Sequence, residues 1–344
     1  MNKKNVPHSQ INGKSVVLEN FDHYIAIDWS MKVMAIAHMT PSNKTPKVFE
    51  RATDLKELQE YLCSLKGRIV LTIEETTTAQ WLFLELFEYV DRIIICDPFW
   101  NKLLCHGPKT DKIDAGKLCV LLYNGLLHEV FHSASELYEL RLLVGYYQDL
   151  IRAGVSSQNQ KSALVRGHRD QSSTAAFIIK HLDVNIEQYR ASKSEYEKQF
   201  SIIARKNKLV GNLTHVDGIG IIGAVKIVAC VVDARRFSGR GKYLSYCGLV
   251  KHEKISGQRS YGRRQPRFNH ILKAVYKTGA VAVIGKNNPI NDYYESLLAK
   301  GISEHNARHA VARYIARITF GMLKSGEPYD PYRWKQNVIE QENS

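Results

Sequence analysis

Residues 23–51, HYIAIDWSMKVMAIAHMTPSNKTPKVFER, decide the fold, because apolar runs alternate there with turn formers. HYIAIDWS is a short apolar run closing on an acid, Asp28. VMAIAHM and KVFERA follow, parted by the turn-prone PSNKTP, so the stretch predicts three strands joined as a meander. Outward from it, DLKELQEYLCSLK sets Leu55, Leu58, Leu62 and Leu65 at helical spacing behind a capping Asp54. RIVLTIEE predicts the next strand, AQWLFLELFEYV a helix, DRIIICD a strand and DKIDAGKLCVLLYNGLL a further helix. A meander followed by alternating strand and helix is the pattern of an α/β sheet with helices on its faces.

The pattern changes near residue 133. Residues 134–212 read as almost wholly helical, and the long, charged, sparsely apolar NIEQYRASKSEYEKQFSIIARKNKLVGNL suits a helical hairpin or coiled coil. Solvated helices linking two domains fit it equally. Residues 213–330 form a third region, mostly helical, with a basic loop at its centre. Lys251 to Lys273 holds seven Lys or Arg against one acid, Glu253. The expected organisation is a tail over 1–20, an α/β domain over 21–133, the helical region, the C-terminal domain and a tail over 331–344.

Across 344 residues, 48 Lys and Arg against 34 Asp and Glu leave a net charge of +14, which favours a polyanionic partner, nucleic acid before an anionic membrane. No apolar run reaches the roughly 18–20 residues of a spanning helix, and the polar N-terminus lacks a signal-peptide core. The six cysteines form no C-x-x-C pair, so buried free thiols in a reducing, cytoplasmic compartment are expected rather than disulfides or zinc.

Four acids stand where chemistry can gather. Asp28 ends the first strand, Glu74 or Glu75 ends the fourth, and Asp111 and Asp114 share one face at a helix start. Clustered carboxylates repel unless a cation neutralises them, and such hard oxygen donors suit Mg²⁺ or Mn²⁺. Taken singly, each acid also reads as a turn or helix cap that favours the positive end of the helix dipole. In VDGIGIIGA, Gly218, Gly220 and Gly223 precede an apolar helix, as in a helix-hairpin-helix turn that holds phosphate on backbone N–H groups. An ordinary tight turn and a nucleotide-binding loop are the rival readings. Ser256, in KISGQRSYGRR, lies among Lys251, Lys254, Arg259, Arg263, Arg264 and Arg267. A hydroxyl beside guanidinium groups reads as a nucleophile toward a phosphodiester or as a simple phosphate contact, with Ser260 an alternative in the same segment.

In order, Asp28 in YIAIDWS, Glu74 in LTIEET and Asp111 with Asp114 in PKTDKIDAGKL resemble the acidic tetrad of the DEDD insertion-sequence transposases, the family that includes the pilin-gene invertase. Asp97-Pro98 resembles that family's Asn-Pro. VDGIGIIGA, RFSGRGKYLSYCGLV, ISGQ and HNARHAVARYIARITFGML resemble its C-terminal domain, with Ser256 at its serine position. The resemblance implies an RNase H-like N-terminal fold whose tetrad binds Mg²⁺. It also implies a C-terminal serine that links covalently to DNA, and a homo-oligomer, dimer or tetramer, on DNA in a prokaryotic nucleoid. In some members a structured RNA guides the choice of DNA. Two departures stand out: Glu74-Glu75-Thr76 where the family often has Glu-x-Thr-Gly, and Ser256-Gly257-Gln258 where Ser-Ser-Gly-Gly is common. The expected function is therefore a transposase or site-specific recombinase. The alternatives are a junction-resolving nuclease that uses water, and an inactive nucleic-acid-binding protein.

Overall fold

The computed structural model describes residues 20–102, 110–135, 137–167, 172–257 and 259–331. The chain divides between Ala134 and Ser135 into two compact units.

In the N-terminal unit the elements run β1 (His23–Trp29), β2 (Val33–Thr40), β3 (Asn43–Ala52), α1 (Leu55–Ser64), β4 (Ile69–Glu74) and α2 (Ala79–Leu86). There follow β5 (Arg92–Cys96), the short α3 (Pro98–Lys102), α4 (Asp111–Tyr123) and β6 (Glu129–Val130). The meander forms as expected. One six-stranded sheet has the order β3-β2-β1-β4-β5-β6, antiparallel through β3-β2-β1 and parallel through β1-β4-β5. β6 adds an antiparallel edge that sequence reading did not anticipate, since two residues carry no period. Asp54 caps α1 by accepting from the backbone N–H groups of Lys56 (2.8 Å) and Glu57 (3.3 Å).

Alternation along the strands sends Ile25, Ile27, Leu71 and Ile73 to one face, where they pack with Leu58 and Leu62 of α1 and Leu82 and Leu86 of α2. Burying each such side chain contributes about 1.5–3 kcal/mol. The opposite face presents Tyr24, Ala26, Ala35, Ala37 and Val70 to α4, which answers with Ala115, Leu118, Cys119 and Leu122.

The C-terminal unit contains α5 (Leu137–Gly167), α6 (Ser173–Lys206), α7 (Lys208–Leu213), α8 (Ile221–Val231) and α9 (Arg240–Tyr246). It continues with β7 (His252–Ser256), β8 (Arg259–Arg264), α10 (His270–Val283), α11 (Pro289–Ala299) and α12 (Glu304–Ser325). α5 and α6 lie antiparallel, because Tyr147 donates to Glu197 (2.9 Å) near one end while Lys161 pairs with Asp183 further along. Their roots, through Leu140, Val144, Tyr147 and Phe200, share a core with α8, α10 and α12. A buried hydroxyl chain crosses that core, Tyr243 to Tyr276 at 2.5 Å and Tyr276 to Thr319 at 2.8 Å. The segment read as a basic loop is instead a two-stranded antiparallel ribbon, β7 with β8. α11 was also not foreseen, although Asn288 caps it and Pro289 opens it. Among the described residues no helix is long and apolar enough to cross a membrane.

Cys96, Cys119 and Cys247 are buried free thiols and Cys63 is exposed; Cys105 lies outside the described residues. Burial pushes the Cys119 thiol up to about 12 and the Cys230 thiol up to about 11, so neither is a reactive thiolate.

Candidate functional site

β1 and β4 pair in parallel from His23 with Ile69 to Ile27 with Ile73, which makes Asp28 and Glu74 the next neighbours at the carboxyl ends of the two strands. Asp28 lies two residues beyond Ala26, and Glu74 four beyond Val70, so both fall on the face that α4 covers. α4 runs over this face against the direction of β1. Near its carboxyl end Tyr123 meets the Tyr24 ring at 4.8 Å, and Cys119 donates to the Tyr24 carbonyl at 3.3 Å. Near its start Lys112 pairs with Glu50 at 2.8 Å, and Glu50 lies across the sheet from Ala35 and so from Asp28. The first turn of α4, with Asp111 and Asp114, therefore lies toward the strand ends that carry Asp28 and Glu74. Thr110 caps that turn by accepting from the Ile113 N–H at 3.3 Å.

Asp28, Glu74 and Asp114 are half-buried and Asp111 is exposed. Among the described residues no three His, Cys, Asp or Glu side chains are drawn together tightly enough to hold a metal ion, so the four acids do not close a cage. The donor set is nonetheless all carboxylate oxygen, which is the chemistry that a hard divalent cation takes.

Glu75 points to a different task. Its carboxylate meets Nε2 of His132 at 2.5 Å, while Nδ1 of His132 meets Oε1 of Gln80 at 2.6 Å. The Gln80 amide nitrogen in turn donates to the Ser133 carbonyl at 3.0 Å. The His132 side chain is only 3% exposed, so this chain ties the turn after β4 to the segment after β6. Sequence reading passed over His132 and Gln80, for no local spacing links residues 52 to 57 positions apart. Asp97, after β5, accepts from the Phe99 N–H at 2.9 Å and so caps α3.

In the C-terminal unit, Ser256 is exposed at the last pair of the β7–β8 ribbon, opposite Arg259, and Gly257 begins the turn at φ +61°. Arg259, Arg263 and Arg264 are exposed along β8, and Arg267 is exposed beyond it. Lys251 is exposed just before β7; Lys254 is a β7 residue whose side chain lies outside the described set. Ser260 donates its hydroxyl to Glu253 at 2.8 Å. His252 at the base of the ribbon meets the Ser245 hydroxyl at 3.0 Å.

Gly220 is the N-cap of α8, and no side chain caps that end. Gly218 has a packing role: its φ is +82°, and a Cβ there would come within 2.5 Å of the Gly279 carbonyl oxygen of α10 and 2.8 Å of Val283. The turn before α8 thus crosses α10 backbone to backbone.

Residues 210–295 match the transposase IS116/IS110/IS902 family. The matched segment runs from α7 into α11 and contains Gly218, Gly220, Ser256 and the basic residues of the ribbon. The chain is 25% identical over 158 residues to the 43.6 kDa protein of insertion element IS110 of Streptomyces coelicolor, across 46% of this chain and 39% of that protein. It is 22% identical over 291 residues to a probable family 20 transposase of Pseudomonas aeruginosa, across 76% of this chain and 86% of the relative. The 44.8 kDa insertion element IS116 protein of Streptomyces clavuligerus is 25% identical over 115 residues, across 33% of this chain and 29% of that protein.

Proposed function

We propose that this protein is a DNA transposase or site-specific recombinase that cuts and rejoins DNA strands. The observation that carries the reading is the common edge of Asp28, Glu74 and the first turn of α4, in a chain whose residues 210–295 match a transposase family. An α/β sheet whose parallel strands end in acids supports the RNase H-like reading of the N-terminal unit. Asp28, Glu74, Asp111 and Asp114 would hold Mg²⁺ or Mn²⁺; the commitment of Glu75 to His132 supports Glu74 as the ligand. Bound there, the ion supplies charge stabilisation at the oxygens of a phosphoryl transfer.

Ser256 supplies the nucleophile. Its Oγ bonds to phosphorus as the bond from phosphorus to the departing sugar oxygen breaks, and the serine proton passes to that oxygen. The phosphoserine ester keeps the phosphodiester energy, and a DNA hydroxyl then displaces Oγ to rejoin the strand. Arg259, paired opposite it, balances the charge that builds on phosphorus, while Arg263 and Arg264, toward the base of the ribbon, reach neighbouring phosphates. A homo-oligomer on DNA and a structured guide RNA belong to the same proposal. One contact favours a second nucleophile, since Ser260 already donates to a carboxylate that can take its proton.

Trapping the reaction with denaturant and looking for protein-linked DNA tests the reading. Ser256→Ala should bind DNA and form no adduct, while Asp28→Asn and Asp114→Asn should lose recombination with the fold intact. Loss of the adduct in Ser260→Ala alone transfers the role to Ser260. Strand cutting by wild type with no adduct makes it a water-using nuclease, and full activity in Asp28→Asn removes the tetrad.

A further inference from the structure

α10 and α12 pack against each other in the C-terminal unit. Lys273 and Lys277 lie one turn apart on α10, and His305, His309 and Arg313 succeed one another at one-turn intervals on α12. The His305 and His309 rings stand 4.6 Å apart. Lys251, at the foot of the ribbon, joins them. The crowding is felt in the protonation of two members. Lys273 is lowered by burial first, then by Lys277 and Lys251. His309 is lowered by burial first, then by His305, Lys277, Arg313 and Lys251. The Lys273 ammonium is also held in place, 2.8 Å from Oε1 of Gln265 and 4.2 Å over the Phe268 ring.

Among the described residues, none of these six groups pairs with an acid; the ion pair on α12 belongs to Arg308 and Glu304. Gathering like charges without a counter-charge costs free energy in the free protein, and a polyanion laid across them offsets that cost. Groups on three separate segments suit a string of phosphates better than a single one.

We propose that Lys251, Lys273, Lys277, His305, His309 and Arg313 form a seat for the phosphodiester backbone of a nucleic-acid strand, distinct from the β8 arginines. The seat rests on the nucleic-acid reading above and adds two helices to it. Contacts from these charges to phosphate position a strand and carry no sequence information.

The test compares the full chain with Lys277→Gln/Arg313→Gln on a short mixed-sequence DNA duplex and on an RNA duplex, from about 50 to 200 mM salt. Each phosphate that the protein ceases to neutralise lowers the salt slope by about 0.9, so the slope should fall by about 2 in the double variant on the duplex that uses the seat. A fall on DNA alone assigns the seat to DNA, a fall on RNA alone to RNA, and a fall on both to the shared backbone. Lys277→Arg/Arg313→Lys should keep the slope, which separates charge from folding, and Arg308→Gln should leave it unchanged. In wild type, adding the duplex should raise the proton affinity of His309, read by NMR. An unchanged slope in a double variant that still binds overturns the seat and leaves the function standing. Failure of wild type to bind either duplex overturns the nucleic-acid reading itself.

Discussion

Replacing Gly218 with alanine separates packing from ligand binding in the turn before α8. At φ +82° a Cβ meets the penalty of left-handed backbone, about 1–2 kcal/mol for an L-residue. The same Cβ would lie 2.5 Å from the Gly279 carbonyl oxygen, and a backbone oxygen inside α10 has no rotamer through which to retreat. Forcing the turn and the helix apart adds an overpacking cost of about 1–3 kcal/mol. Together these give about 2–5 kcal/mol, which for a unit of this size lowers the melting midpoint by about 2–4 °C per kcal/mol. Gly220→Ala is the internal control: its φ is −79° and nothing lies within 4 Å of the added methyl. That variant should stay within about 1 kcal/mol of wild type, the ordinary difference between glycine and alanine at an N-cap. Thermal and urea unfolding, followed by far-ultraviolet circular dichroism, read both. If Gly218→Ala melts with wild type while nucleic-acid binding collapses, Gly218 serves a phosphate and the packing argument fails.

Two further outcomes follow from the N-terminal unit. His132→Ala removes a side chain only 3% exposed and leaves Gln80 and Glu75 without their shared partner, so urea unfolding should show a loss of about 1–3 kcal/mol; an unchanged midpoint would refute the network's structural role. His38 is lowered from 6.5 by burial first, then by His23 and Lys47; the unfolded chain therefore binds its proton more readily, and stability falls as the pH drops below about 6.5 toward the lowered folded value. That acid loss should shrink in His38→Gln, and identical pH profiles for the two proteins would count against it.

The meander, the Asp54 cap and the strand-ending acids were legible because each is written locally, as alternation, a capping residue or an apolar run that stops. The β7–β8 ribbon was not. Its strands are exposed and mostly polar, with only Ile255 and Tyr261 as large apolar residues among the described side chains, so no period betrays them, and the glycine at 257 was a local sign of the turn. α11 was missed although Asn288-Pro289 announces it, because the residues before it read as a turn. Of the candidate site, the residue types could be read but not the direction of α4. Which end of a helix lies over the acids is settled by what packs beneath it. The Glu75–His132 contact and the basic face of α10 and α12 are likewise long-range, joining residues that no spacing rule relates.

What packs beneath α4 has a consequence of its own. Ala26, Ala35 and Ala37 are fully buried, and they form the floor on which that helix rests. Their methyl groups act as shims: they set how low the helix sits, and hence how far Asp111 and Asp114 hang above the strand ends. A valine at Ala35 would change no carboxylate, yet it would raise the far wall of the acidic edge by the thickness of a side chain. The spacing of the carboxylates is thus governed by residues that carry no charge of their own.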